Sequence, residues 1–157
     1  LKLFLGSKIL NLFLIISAVS LTMYGCGQKG NDSPKETVIK LFGAMEKNDT
    51  GAIVHLADIP SLMRIRGEDY ALATDSPRVF HDPMEMLNDL TGEGLTKTRW
   101  FSMQRIIGDT EIKGDSAFVE VSFINKRINM QYYNKFGLFL ADGKWKIYSF
   151  KTVAGAN

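Results

Sequence analysis

The spacing of apolar residues changes period once along this chain, and that change limits the folds open to it. Before residue 58 apolar side chains recur every third or fourth position, whereas after about residue 97 they recur every second position. In "SPKETVIKLFGAMEKND", Val38, Leu41, Phe42 and Met45 fall at i, i+3, i+4 and i+7, a single stripe along a helix. In "SAFVEVSFINKR", Ala117, Val119, Val121 and Phe123 alternate with Phe118, Glu120 and Ser122, which is the pattern of a strand with one face turned to a core. A helical stripe and a strand face each need an apolar partner. Helices followed by a run of strands therefore predict an α+β domain, with N-terminal helices packed on a curved antiparallel sheet of four or more strands.

Local signals set the element boundaries. Ser33, Pro34 and Glu36 stand where an N-cap, a first helical residue and the reciprocal member of a capping box belong. Asn48, Asp49 and Thr50 stop that helix and cap a second, whose Ile53, Leu56 and Ala57 keep the helical spacing. Pro60 and Pro77 interrupt the middle of the chain. Asp82, Pro83 and Glu85 then open a third helix with Met84, Leu87 and Leu90 as its buried side and Gly92 or Gly94 as its end. Four strands follow in "TRWFSMQRII", "SAFVEVSFINKR", "INMQYYNKFGLFLA" and "KWKIYSFK", the first two separated by "GDTEIKGD" and the last two by Asp142-Gly143, a strong hairpin signal. In the third, Ile128, Met130, Tyr132, Phe136, Leu138 and Leu140 share a face, with Asn134 among them. The opposite face of the sheet is assigned Phe118, Ile124, Phe139 and Phe150, so both faces carry apolar residues.

Ahead of this domain lies a different kind of segment. Lys2 and Lys8 precede the apolar run "ILNLFLIISAVSLT", and the small residue Gly25 precedes Cys26, the three parts of an export signal over residues 1–25. The run is shorter than the ~20 apolar residues of a membrane-spanning helix. Cys26 is the single cysteine, so it has no partner for an internal disulfide. The polar stretch "GQKGNDS" behind it reads as a flexible tether. Without residues 1–25 the chain carries 17 basic and 17 acidic side chains, a balance that argues against a nucleic-acid binder. The charge is unevenly spread: residues 26–95 are net −5 and residues 96–157 net +5. Lys126, Arg127, Lys144, Lys146 and Lys151 present a sheet edge or face to an anionic partner, or simply protect edge strands from aggregation.

Two stretches resemble known families. "MYGC", residues 23–26, is similar to the bacterial lipobox, with Gly25 and Cys26 in their usual places and Tyr24 larger than the residue usually found there. What this implies is a lipidated Cys26 at the head of a 26–33 tether, anchoring an exported protein to a cell-envelope membrane. The order of elements, together with "IIGDTEIKGDSAFVEV" and the terminal "FGLFLADGKWKIYSF", resembles over residues 34–150 the small lipoproteins of the NTF2-like (cystatin-like) superfamily, and the domain is bounded at 34–152. That resemblance implies a sheet wrapped round a helix into a cone with a cavity at its open end. It implies no single activity, because the superfamily holds isomerases and dehydratases beside binding domains. The expected function is a non-catalytic domain that binds a small apolar ligand or an envelope protein, or pairs with a second copy through its sheet. Trp100, Met103, Tyr132 and Tyr148 are the candidate lining of the cone. The alternative is a cofactor-free isomerase or dehydratase with a buried Asp or a Tyr such as Tyr132 as base. His55 with Asp58, and His81 with Asp82, are the pairs that suggest a metal, but their spacing matches no metal motif and Asp82 already serves as a cap. No phosphate loop, nucleophile elbow or calcium loop is present, so no cofactor is expected.

Overall fold

The computed structural model describes residues 32–64 and 79–153. The leader, Cys26 and the tether up to residue 31 lie outside the described residues. Among the described residues five helices precede four strands: α1 (Pro34–Glu46), α2 (Thr50–Leu56), α3 (Ile59–Arg64), α4 (Pro83–Leu90), α5 (Leu95–Phe101), then β1 (Gln104–Lys113), β2 (Ser116–Asn125), β3 (Met130–Ala141) and β4 (Lys144–Val153). The strands form one antiparallel meander in the order β1-β2-β3-β4. The expected α+β class, helices on a four-stranded antiparallel sheet, is what the chain adopts. None of the described helices is long and apolar enough to cross a membrane.

Caps fix the helix starts. The Ser33 hydroxyl accepts from Glu36 N–H while Ser33 N–H donates to the Glu36 carboxylate at 2.7 Å, the reciprocal box expected from the sequence. At α4, Asp82 accepts from Met84 N–H and Glu85 N–H, but Glu85 reaches back to His81 N–H rather than to Asp82. The buried side of α4 is Met86, Leu87 and Leu90, and Met84 is exposed. Between α2 and α3, Asp58 N–H donates to Ile147 O at 2.8 Å, pinning this corner to β4. The Asp58 carboxylate accepts from Ser61 Oγ at 2.6 Å and so begins α3, a short helix that the prolines obscured in the sequence.

Three features of the strand region differ from the sequence reading. Residues 98–101, expected to open the first strand, belong instead to α5, and β1 begins only at Gln104. Thr, Trp and Phe favour strands, but Thr96 and Trp100, four apart, both face the core as a helix requires. The segment "GDTEIKGD", read as a separator, is mostly β1 itself, and only the turn about Gly114, with φ +58°, divides it from β2. Within β1 the residues Gly108 and Asp109 together oppose Glu120 alone, a bulge that twists the strand. A second bulge lies where Tyr148 is the extra residue between Ile147, paired with Leu138, and Ser149, paired with Gly137. It reverses the facing of the residues beyond it, so Phe150 belongs to the inner face rather than the outer one.

The core is the inner face of this sheet closed by the helices. Val38, Leu41, Phe42 and Met45 of α1 meet Ala117, Val119, Val121 and Phe123 of β2, with Phe136, Leu138, Ile147 and Phe150 from β3 and β4. Asn134, the polar residue in the β3 stripe, is buried and donates from Nδ2 to Phe150 O at 3.0 Å. Ile128, expected to share that stripe, is exposed in the turn before β3.

Candidate functional site

The cone interior is where the sequence placed a pocket, and its geometry follows from α5. Gly94 begins that helix at a close approach: a Cβ there would stand 2.3 Å from both Asn88 O and Asp89 O. The Asp89 carboxylate, itself buried, accepts from Thr96 N–H at 3.3 Å and from the Thr96 hydroxyl, so it caps α5 from α4. Held this way, α5 directs Trp100 into the sheet. The indole stacks on Phe123 with ring centroids 5.1 Å apart, lies 5.5 Å from Phe136, and meets Phe150 edge-on at 5.2 Å and Phe42 at 5.9 Å. Trp100 is only 5% exposed. It fills the interior of the sheet instead of lining a space within it.

The four candidate lining residues do not come together. Trp100 and Met103 are buried in the packed core. Tyr132 is half-buried beside them, with its hydroxyl 3.7 Å from Met130 Sδ. Tyr148 lies on the opposite, outer face, where its ring covers Gly137 so closely that a Cβ there would be 2.7 Å from Tyr148 Cζ. Tyr148 follows the inward-facing Ile147 directly, so alternation along β4 turns it outward. Arg105, on the inner face opposite Phe123, packs its guanidinium 4.0 Å from the Phe101 ring centroid and donates to Trp100 O at 3.2 Å, capping the aromatic cluster.

Acid–base chemistry would need a carboxylate or imidazole beside a tyrosine hydroxyl. Among the described residues no tyrosine hydroxyl is hydrogen-bonded to a carboxylate or histidine. The buried carboxylate Asp89 serves Thr96 at the α4–α5 corner. Of the metal-suggesting pairs, Asp58 and Asp82 are occupied as caps, and His55 and His81 are exposed. Among the described residues no three His, Cys, Asp or Glu side chains are grouped as a metal site.

The outer face of the sheet holds the larger concentration of interaction chemistry. Phe118, Tyr133, Phe139 and Tyr148 are half-buried on it, with Phe139 and Tyr148 rings 6.2 Å apart. Charge divides across it. Glu111 and Glu120 stand on β1 and β2; Lys135, Lys146 and Lys151 stand on β3 and β4. Lys135 reaches Glu120 at 4.0 Å but is paired in register with Lys151, so two like charges oppose one another. A hydrogen bond from Lys113, and then its charge, hold the Glu111 carboxyl below the ordinary range. The five basic residues singled out in the sequence separate here: Lys126 and Arg127 sit in the β2–β3 turn, Lys144 and Lys146 at the opposite end of the sheet, and Lys151 in register with Lys135.

Comparison with known proteins adds a limited likeness. No family model matches the chain, and no curated protein matches it. Among solved structures it is similar to a crystal structure of an NTF-2-like protein of unknown function from Silicibacter pomeroyi DSS-3. The identity is 15%, the match covers 75% of this chain and 91% of that one, and the TM-score is 0.45.

Proposed function

We propose that this chain is an exported lipoprotein of the NTF2-like kind, anchored to an envelope membrane through Cys26, whose folded domain acts by protein interaction and not by catalysis. The observation that carries the reading is the occupied interior: Trp100 and the four phenylalanine rings around it take the space where a cone-shaped enzyme or carrier would hold its small molecule. Interaction then falls to the surface. The sequence of residues 1–26, and the order of helices before a four-stranded meander, support the lipoprotein and NTF2-like parts of the reading.

The outer sheet face is the interaction surface, and its occupant is a second copy of the same face. A two-fold axis running along the strands sets β1 and β2 of one copy over β3 and β4 of the other. Glu111 and Glu120 then approach Lys135, Lys146 and Lys151, which relieves the Lys135–Lys151 opposition, and the aromatic residues meet at the centre. Sedimentation equilibrium of the full chain in neutral detergent tests this. The expected result is a dimer mass, converted to monomer by Phe139→Glu with the fold retained. A monomer at all concentrations, or a dimer indifferent to Phe139→Glu, contradicts it.

A further inference from the structure

The end of the sheet formed by the β2–β3 turn carries a depression of about 450 Å³ lined by Ser102, Gln104, Ile124, Asn125, Lys126 and Arg127. We infer that this depression binds a phosphate-bearing anion, with Lys126 and Arg127 as its cations and the side-chain amides of Gln104 and Asn125 as neutral donors. The lining contains two positive groups and no carboxylate. Neither Lys126 nor Arg127 has an ion-pair partner among the described residues, although the exposed Lys40, Lys113 and Lys135 each have one. An uncompensated cation pair beside neutral donors is the arrangement that takes up an anion with charge-assisted hydrogen bonds.

The turn is built to hold those groups in place. Arg127 N–H donates to the Asn125 side-chain oxygen at 3.1 Å, which fixes the start of the turn and leaves the Asn125 amide NH₂ as the available donor. Asn129, with φ +51°, closes the turn in the left-handed region that asparagine tolerates. On the other wall, Ser102 donates its hydroxyl to Arg99 O at 2.7 Å, which orders the chain between α5 and Gln104. Gln104 and Ile124 are direct partners across β1 and β2, so the wall and the turn belong to one rigid strand pair. The same chemistry recognises a free phosphate and a phospholipid headgroup. The site stands on its lining alone and does not depend on the sheet-face dimer.

Titration calorimetry on the full chain in uncharged detergent distinguishes the sources, with inorganic phosphate in one arm and micelles doped with phosphatidylglycerol in the other. Lys126→Ser/Arg127→Ser removes the site, and Lys47→Ser/Lys144→Ser removes the same charge away from that turn. Both pairs are exposed or half-buried surface positions, and matching thermal midpoints verify their folding. If the first double variant does not fold, Arg127→Gln alone takes its place. The expected result is saturable binding in at least one arm, weakened at least about tenfold by the Lys126/Arg127 change and unaffected by the Lys47/Lys144 change. Binding of phosphate itself identifies a soluble ligand; binding of the doped micelles alone identifies a headgroup. Equal weakening by both variants, or no binding in either arm, overturns the inference.

Discussion

Glu36 shows how a single residue couples fold and solution conditions. The Ser33 N–H hydrogen bond, and then the Ser33 hydroxyl, hold its carboxyl below the ordinary glutamate value of 4.5. A carboxyl lowered in the folded state contributes stability that is present above the unfolded value and is lost as pH falls through the folded one. The native chain is therefore expected to lose more stability than Glu36→Gln as pH falls from about 4.5 to 3. Parallel acid melting curves of the two proteins check this; identical curves mean that the cap contributes nothing measurable. Capping residues were also the most legible at this scale. Ser33, Asp49 and Asp82 act over two or three residues, so the sequence contains both partners of each bond. Trp100 was not legible in the same way: its four ring partners lie on α1, β2, β3 and β4, and no local pattern reports them.

Strands and helices follow their periodicity until a bulge or a tertiary contact intervenes. In β2 the alternation is uninterrupted, and Ala117, Val119, Val121 and Phe123 all face the core as their spacing requires. In β4 the extra residue at Tyr148 shifts the remaining residues by one, which carries Phe150 inward. This account ranks two phenylalanines that the sequence placed on one face. Phe150→Ala is expected to cost about 3–5 kcal/mol, because it empties a fully buried position against Trp100 and Phe136. Phe139→Ala, on the half-exposed outer face, is expected to cost about 1–2 kcal/mol. Denaturant midpoints of the two variants measure the difference. Equal costs would mean that the β4 bulge does not set the facing of Phe150. The conversion of residues 98–101 from expected strand to α5 has a similar origin, since the Asp89 carboxylate that starts this helix lies six residues before it.

For the whole molecule, the order of elements was readable and the use of its interior was not. Helical spacing followed by alternation dictates an α+β arrangement, because both patterns leave an apolar side that only the other can cover. Whether the enclosed space is hollow depends on the volume of side chains contributed by distant elements, and here Trp100 on α5 decides it. With the interior packed, the chemistry moves outward to the divided charge of the sheet's outer face and to the basic β2–β3 turn. In the function proposed above, both are presented at a membrane surface, and that proposal rests on Cys26. The intact mass of the protein extracted from membranes of its native host, beside Cys26→Ala, tests this most directly. The account predicts a mass equal to residues 26–157 plus a diacylglycerol-type adduct, absent from the variant. An unmodified mass, or one that retains residues 1–25, would contradict it.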